Sequence, residues 1–435
     1  MNRSYAEGLI KFLDKSPSPF HVIENMENEL EANGFHPLCE NNKWELKLGE
    51  SYYVTRNSSS IIAFRIPKDG VKGFQIMASH SDSPTLKVKT NPEIVTDNAY
   101  VTLNVEKYGG MICSPWFDRP LSVAGRVLVK NGNKVEEKFL DIDKDLLMIP
   151  NLAIHMNRAV NDGYSYNIQK DMLPLVSMGG KDVKFKNIVA DALNVKVEDV
   201  VSMDLQLYNR ENGRIWGYED EFVSSRRLDD LECGYSSLRG ILAAGKSENV
   251  AVHCVFDNEE VGSGTKQGAA GDFLKATLIR IAEGLGYTEA DLYRFVSNSF
   301  MVSADNAHAL HPNYKEKADP TNHVIINNGI VIKHSANQKY TTDAVSHAVF
   351  ETVCQKAGVP TQNFLNRSDI LGGSTLGNIS TSQVSIKTVD IGLAQLAMHS
   401  CYETAGCADI EYLVKAAEAF FNSTITFDNN NFEVR

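Results

Sequence analysis

Apolar and polar positions divide the chain into three stretches of different rhythm. From residue 1 to 33, apolar residues recur at helical spacing (Leu9, Ile10, Leu13), and Ser16-Pro17-Ser18-Pro19 breaks the run. Proline cannot continue a helix, so the pattern predicts two helices meeting at a corner. Strands are predicted over Ser51–Arg56, Ser60–Arg65 and Gly73–Ser79, with a loop at Asn57-Ser58-Ser59-Ser60. The third strand, GFQIMAS, is apolar on both faces, as a strand buried between helical layers must be. Between about residues 86 and 220 the rhythm changes to short β-rich runs: Thr85–Lys89, Tyr100–Val105, Gly125–Lys130 and Val201–Tyr208. Turn pairs such as Asn131-Gly132 and Asn212-Gly213 punctuate them, and no long helical pattern dominates.

After about residue 225 strands and helices alternate again. Helical patterns cover Leu231–Gly245, Thr265–Leu285 with an interruption, Tyr340–Ala357 and part of Thr404–Phe421. Strand patterns cover Asn249–Phe256, Ser299–Ser303, part of Val324–Lys333 and part of Gln383–Asp390. Such alternation predicts an α/β fold in which a β-sheet is sandwiched by helices. The expected organisation is a discontinuous unit, 1–86 with 222–435, interrupted by a β-rich unit at 87–221. The polar tail Asp428-Asn429-Asn430-Asn431 is expected to be mobile.

Composition narrows the function classes. The chain has 435 residues, 43 Lys+Arg and 55 Asp+Glu, a formal net charge of −12. A net negative surface disfavours nucleic acid unless basic residues cluster, and the densest basic stretch, Lys181 to Lys186, is short and interrupted. No apolar run reaches about 18 residues, so no membrane span is expected. The seven cysteines are odd in number and form no Cys-x-x-Cys pair, which predicts reduced thiols in a cytoplasmic protein rather than a disulfide framework.

In open α/β sheets ligands bind beyond the carboxyl ends of the strands. Polar residues that directly follow predicted strands are therefore the candidates for chemistry. His80 and Asp82 follow GFQIMAS; Asp257, Glu259 and Glu260 follow NVAVHCVF; Asp305 follows SFMVSA. Asp229-Asp230 and His399 lie near the starts of segments that return to the same sheet. Imidazoles and carboxylates that converge on one crevice make a mixed N/O metal site. Taken singly, each also suits a plainer role. His80 and His399 suit structural histidines, Asp82 a turn carboxylate, Asp229-Asp230 a helix N-cap, and Glu259-Glu260 a solvated acidic turn. His308 and His311 compete with Asp305 for attention.

The joint set resembles the aspartyl aminopeptidase family of dinuclear zinc metallopeptidases, which includes vacuolar aminopeptidase I. The matching pieces are SPSPFHVIE (16–24), ASHSDSPTLKVK (78–89), SPWFDRPL (114–121), NLAIHMNRAVN (151–161), RRLDDL (226–231), FDNEEVGS (256–263), SADNAHALHPNY (303–314) and LAMHSCYE (396–403). The resemblance implies a zinc-peptidase-like catalytic unit and an inserted β-rich dimerisation unit, with dimers assembled into a tetrahedral dodecamer. It implies two divalent ions per chain, zinc first, with cobalt and manganese also compatible. His80 and Asp305 would hold one ion, Glu260 and His399 the other, and Asp229 would bridge them. Glu259 resembles the general base; Asp82, read from its place two residues after His80 and not from the resemblance, is the candidate to fix the His80 tautomer. His155 resembles a histidine delivered by a neighbouring subunit, and Lys333 and Tyr340 resemble substrate-pocket residues.

The expected activity is removal of N-terminal residues from peptides with a free amino end, Asp and Glu preferred, through metal-activated water. The alternatives are a related dizinc hydrolase of another small amide (a dipeptidase or deacylase) and a mainly structural shell protein. Lys333 has its own plainer reading as a strand-end surface lysine.

Overall fold

The computed structural model describes residues 3–179, 183–370, 372–429 and 431–435. The corner predicted by the prolines is present. A helix spans Ser4–Asp14, Ser18 is extended, and Pro19 sits in the first turn of the helix Pro19–Ala32. A proline there loses nothing, since the first amides of a helix have no partner within it.

The largest sheet among the described residues has nine strands. Their spatial order is His36–Leu38, Ser51–Arg56, Ser60–Arg65, Val250–Phe256, Phe74–His80, Phe300–Ala304, Lys387–Gly392, Ile330–His334 and Thr361–Leu365. Val250–Phe256, Phe74–His80, Phe300–Ala304 and Lys387–Gly392 run parallel at its centre. Successive side chains of a strand point to opposite faces, so each central strand feeds two cores. Ile61, Ala63, Met77, Val255 and Val302 join a core beneath the helices Ser4–Asp14, Pro19–Ala32, Leu228–Leu242, Ala344–Ala357 and Cys407–Asn422. Ile62, Phe64, Ile76, Cys254 and Met301 join the core on the other face, with Phe273–Gly284 and Glu289–Ser297. This is the helix-covered sheet that the both-face apolar strands require.

A second, six-stranded sheet is antiparallel throughout, in the order Lys134–Asp141, Leu121–Asn131, Val200–Asn209, Thr85–Thr96, Tyr100–Tyr108 and Leu175–Met178. It has its own apolar core, which includes Leu103, Val123, Leu140 and Leu207. The helix Phe185–Leu193, which the β-rich pattern of this stretch did not suggest, packs Phe185 and Val189 into that core.

A third sheet of very short strands joins Arg214–Trp216, Phe222–Ser225, Glu403–Gly406, Ala394–Leu396 and Ala307–His308. Asp428 and Asn431 pair across a hairpin formed by Ile425–Asp428 and Asn431–Val434, and Ile425 and Val434 are buried at its base. Asn430, within the polar stretch expected to be mobile, lies outside the described residues. Among the described residues no helix is long and apolar enough to cross a membrane.

Candidate metal centre

The parallel strands end in register, with Phe256 beside His80 and Ser303 beside Ala78, so residues just beyond their carboxyl ends meet above one edge. His80 closes its strand and is buried. Its Nδ1 faces Asp82, 3.0 Å from the carbonyl oxygen and 3.4 Å from Oδ1. Donation from Nδ1 leaves Nε2 as the basic nitrogen, and Nε2 lies 3.5 Å from Asp229 Oδ1. The other oxygen of Asp229 lies 3.5 Å from His399 Nε2, which in turn is 3.3 Å from Glu260 Oε2. One carboxylate thus stands between two imidazoles.

Local backbone geometry makes this convergence possible. Asp229 and Asp230 open the helix Leu228–Leu242 with non-helical φ/ψ. Asp229 Oδ1 and Asp230 Oδ1 have no hydrogen-bond partner, and Asp230 Oδ2 takes the His80 amide, so neither aspartate is shown capping the amides of this helix. Glu259 and Glu260 occupy a single turn between Asn258 (φ 64°) and Gly262 (φ 93°), both left-handed. Their amides donate to Asp82 Oδ1 and Oδ2, each at 3.1 Å. This turn is not a solvated acidic loop, because the Glu260 side chain is buried. His399 has φ 68°, and its amide donates to Glu403 Oε1 at 2.7 Å. Glu403 Oε2 takes the Asp229 amide at 3.1 Å, so one buried acid pins two residues of the cluster.

Ligand atoms of His80, Asp229 and Glu260 lie within 4.8 Å of one another, as do those of Asp229, Asp230 and Asp305. The two groups share Asp229. Asp229 Oδ1, Asp230 Oδ1 and Glu260 Oε1 are buried without a hydrogen-bond partner. Orphaned buried oxygens are costly unless a cation takes them. A donor set of imidazole nitrogen and carboxylate oxygen suits zinc, so the residues present fit such an ion.

The electrostatics point the same way. Burial pushes Glu259 up to about 8, reinforced by Asp305, Asp82 and Asp229 and opposed by His80. Burial, with Asp229 next, holds Glu260 well above the carboxylate range. Burial also raises Asp305, although Lys333 pulls it back. Burial opposes the charge on Asp229 too, but hydrogen bonds with His399 and His80 keep it below the usual range. Too many acids share too little positive charge, and a bound cation reverses that balance.

Lys333 is buried, not a surface lysine. Its Nζ lies 3.7 Å from Asp305 Oδ1 and 5.4 Å from the centre of the buried Tyr340 ring. A cavity of about 600 Å³ is lined by His308, Tyr314, Phe364, Arg367, Gln395 and Met398 among others. His155 stands apart. It is exposed in the turns after Pro150, and no hydrogen bond or ion pair among the described residues ties it to the buried cluster.

Sequence reasoning named the Asp229-Asp230 pair but gave a ligand role to Asp229 alone, whereas Asp230 Oδ2 takes the His80 amide at 3.2 Å. It also passed over Glu403 and Tyr108, whose hydroxyl donates to Asp82 Oδ2 at 2.6 Å. Glu403 lies four residues after His399, within a segment already singled out, so spacing offered a signal for it; Tyr108 had none.

Imidazoles and carboxylates gathered at the carboxyl edge of a helix-covered parallel sheet define a metallohydrolase. Residues 12–421 match the family of aminopeptidase I zinc metalloproteases (M18). A relative from Clostridium acetobutylicum, named a probable M18 family aminopeptidase 2, is 48% identical over 426 residues, 96% of this chain and 98% of that protein. Among solved structures, the crystal structure of prApe1 superposes with a TM-score of 0.90 at 28% identity, covering 96% of this chain and 94% of that one. The S. cerevisiae mApe1 dodecamer gives 0.85 at 27% identity, covering 96% of each chain. The chain belongs to the M18 family and is a zinc aminopeptidase of that family.

Proposed function

We propose that this aminopeptidase holds two divalent ions and uses them to remove N-terminal residues, Asp and Glu preferred, from peptides with a free amino end. The observation that carries the reading is Asp229, with one oxygen 3.5 Å from His80 Nε2 and the other 3.5 Å from His399 Nε2. A carboxylate shared in this way suits a bridge, with His80 and Asp305 on one ion and Glu260 and His399 on the other. When bound, the ions supply Lewis acidity, which makes a water acidic enough to attack at neutral pH.

The chain's own groups do the rest. Glu259 takes the proton of the attacking water and passes it to the leaving amine, work for which a carboxyl tuned towards neutrality is suited. Asp82 holds the His80 tautomer and, through the two amides, the Glu259–Glu260 turn. His155, supplied by a neighbouring subunit, donates to the oxygen that gains charge as the peptide carbonyl is attacked. Lys333, beside Asp305 and Tyr340, attracts the side-chain carboxylate of the substrate.

The same reading assigns residues 1–86 and 222–435 to the catalytic unit and 87–221 to a dimerisation unit, with dimers building a tetrahedral dodecamer. The separate apolar core of the six-stranded sheet supports that division, and the mApe1 dodecamer supports the assembly. The free state of all seven cysteines supports a reducing, cytoplasmic setting.

Purified protein should hold about two zinc ions per chain and release Asp from a short Asp-peptide. The N-acetylated peptide should resist. Cleavage of the acetylated peptide would favour a deacylase, and inactivity with every divalent metal would favour the shell protein.

A further inference from the structure

The strand Tyr100–Tyr108 belongs to the six-stranded sheet, yet its end runs into the metal centre. Three consecutive residues each meet a different part of it. The Tyr108 hydroxyl donates to Asp82 Oδ2 at 2.6 Å and accepts from Asn258 Nδ2 at 2.9 Å. A side chain at Gly109 would crowd Glu260. Gly109 has φ 73°, and a Cβ built there would lie 3.2 Å from Glu260 Cβ. The Gly110 carbonyl accepts from His399 Nδ1 at 2.8 Å, which leaves His399 Nε2 free to face Glu260 and Asp229. Two residues on, the Ile112 amide donates to the His399 carbonyl at 3.0 Å.

Asp82 is the hinge of this arrangement. Its two oxygens take the Glu259 and Glu260 amides separately, and Oδ1 also faces His80 Nδ1 at 3.4 Å. A carboxylate can meet two successive amides only while its plane is fixed. The short bond from Tyr108 fixes it from outside the nine-stranded sheet. Tyr108 is itself held by its register pairing with Thr85 and by the Lys87 ammonium 4.2 Å over its ring.

We propose that Tyr108 is a positioning residue for the aminopeptidase reaction, and that Tyr108-Gly109-Gly110 is the strut through which the six-stranded sheet sets the geometry of Glu259, Glu260 and His399. The inference rests on the roles proposed above for those three residues. Tyr108 touches neither substrate nor water in this scheme; it acts through Asp82. The placement of the six-stranded sheet therefore feeds directly into catalysis within one chain, independently of any residue that a neighbour delivers.

The test is Tyr108→Phe in the full-length protein, which removes one oxygen and keeps the ring. Outer hydrogen-bond partners of this kind typically carry about 10- to 100-fold in metal affinity or activity. The zinc affinity of the apo-protein, read by competition with a chromophoric chelator, should fall about tenfold with the stoichiometry retained. In the zinc-saturated enzyme kcat should fall about tenfold while KM stays within about twofold.

A double-mutant cycle with Asp82→Asn separates the route. In the Asp82→Asn background, Tyr108→Phe should change zinc affinity by less than about twofold, because the shared path is already cut. Wild-type affinity and kcat in Tyr108→Phe would overturn the proposal. So would a change confined to KM, or an undiminished loss in the Asp82→Asn background. If Tyr108→Phe does not fold, Gly109→Ala carries the same question, since its Cβ presses on Glu260 and should weaken zinc binding. Failure of the base assignment shows itself separately, as undiminished turnover in Glu259→Gln, and leaves the zinc-affinity cycle intact.

Discussion

Lys333 Nζ sits 3.7 Å from Asp305 Oδ1, almost wholly out of water, with burial opposing its charge and Asp305 then Tyr340 sustaining it. An ammonium in that place has a reason to exist only if anions face it, and Asp305 faces it as an ion pair that leaves its donors free for another acceptor. In the proposed pocket a substrate carboxylate takes one of those donors. Lys333→Met should therefore lower kcat/KM for peptides beginning with Asp by about 10²-fold relative to those beginning with Ala, since a charged hydrogen bond is worth about 1.5–3 kcal/mol. The ratio cancels general damage to the zinc site, and an unchanged ratio would remove Lys333 from specificity. At this scale His80, Glu259, Glu260 and Asp305 were legible, because a polar residue placed immediately after an apolar run is visible without any structure. Glu403 was passed over although it lies only four residues after His399. Tyr108 was not legible, because its hydrogen bond goes to an acid 26 positions away in sequence and leaves no periodic mark.

The helix Pro19–Ala32 carries Glu24, Glu27 and Glu31 three and four residues apart, where like charges repel. Burial pushes Glu27 up to about 7, with Glu31, Glu24 and Glu137 adding to the rise and a hydrogen bond from Thr55 opposing it. Between about pH 4.5 and 7 the folded chain holds a proton there that the unfolded chain has released. This contribution to stability is intact below pH 4.5 and is lost as pH rises to about 7. Glu27→Gln should thus be near neutral at pH 5 and stabilising at pH 8, by about 1 kcal/mol after allowance for partial exposure, or ~1 °C in Tm at this length. Scanning calorimetry at both values checks it; an equal Tm difference at pH 5 and pH 8 would refute the assignment. Elements of five or more residues with apolar character on both faces were the legible ones. The expected strand signal in Val324–Lys333 survives only over Ile330–His334, because Asp409 captures the amides of Asn327 and Gly329. The third sheet was illegible, since strands of two to four residues carry too little alternation to read.

In the whole molecule, Met148, Leu152, Ile154 and Met156 are 42, 55, 47 and 69% exposed, and His155 lies among them. Apolar side chains crowded on one exposed segment mark a surface that another chain covers. The segment follows the bridge from Met148 to Leu175 in the six-stranded sheet, and no hydrogen bond or ion pair among the described residues ties the exposed His155 to the metal cluster; the proposed catalytic role of His155 is therefore assigned to a second copy. His155→Ala should lose about 10²–10³ in kcat, the usual consequence of removing one donor to a developing oxyanion. Glu259→Gln should be comparably impaired through loss of the base. Mixed after dissociation and allowed to reassociate, the two variants test where the histidine acts. Random pairing in a two-fold dimer makes about half the dimers mixed. In each mixed dimer the His155→Ala chain keeps its own Glu259 and receives His155 from its partner, so one site in two is whole. Supply from a neighbour therefore predicts recovery of about one quarter of wild-type activity. Supply within one chain predicts nothing above the sum of the two parents, because no chain in the mixture then carries both residues.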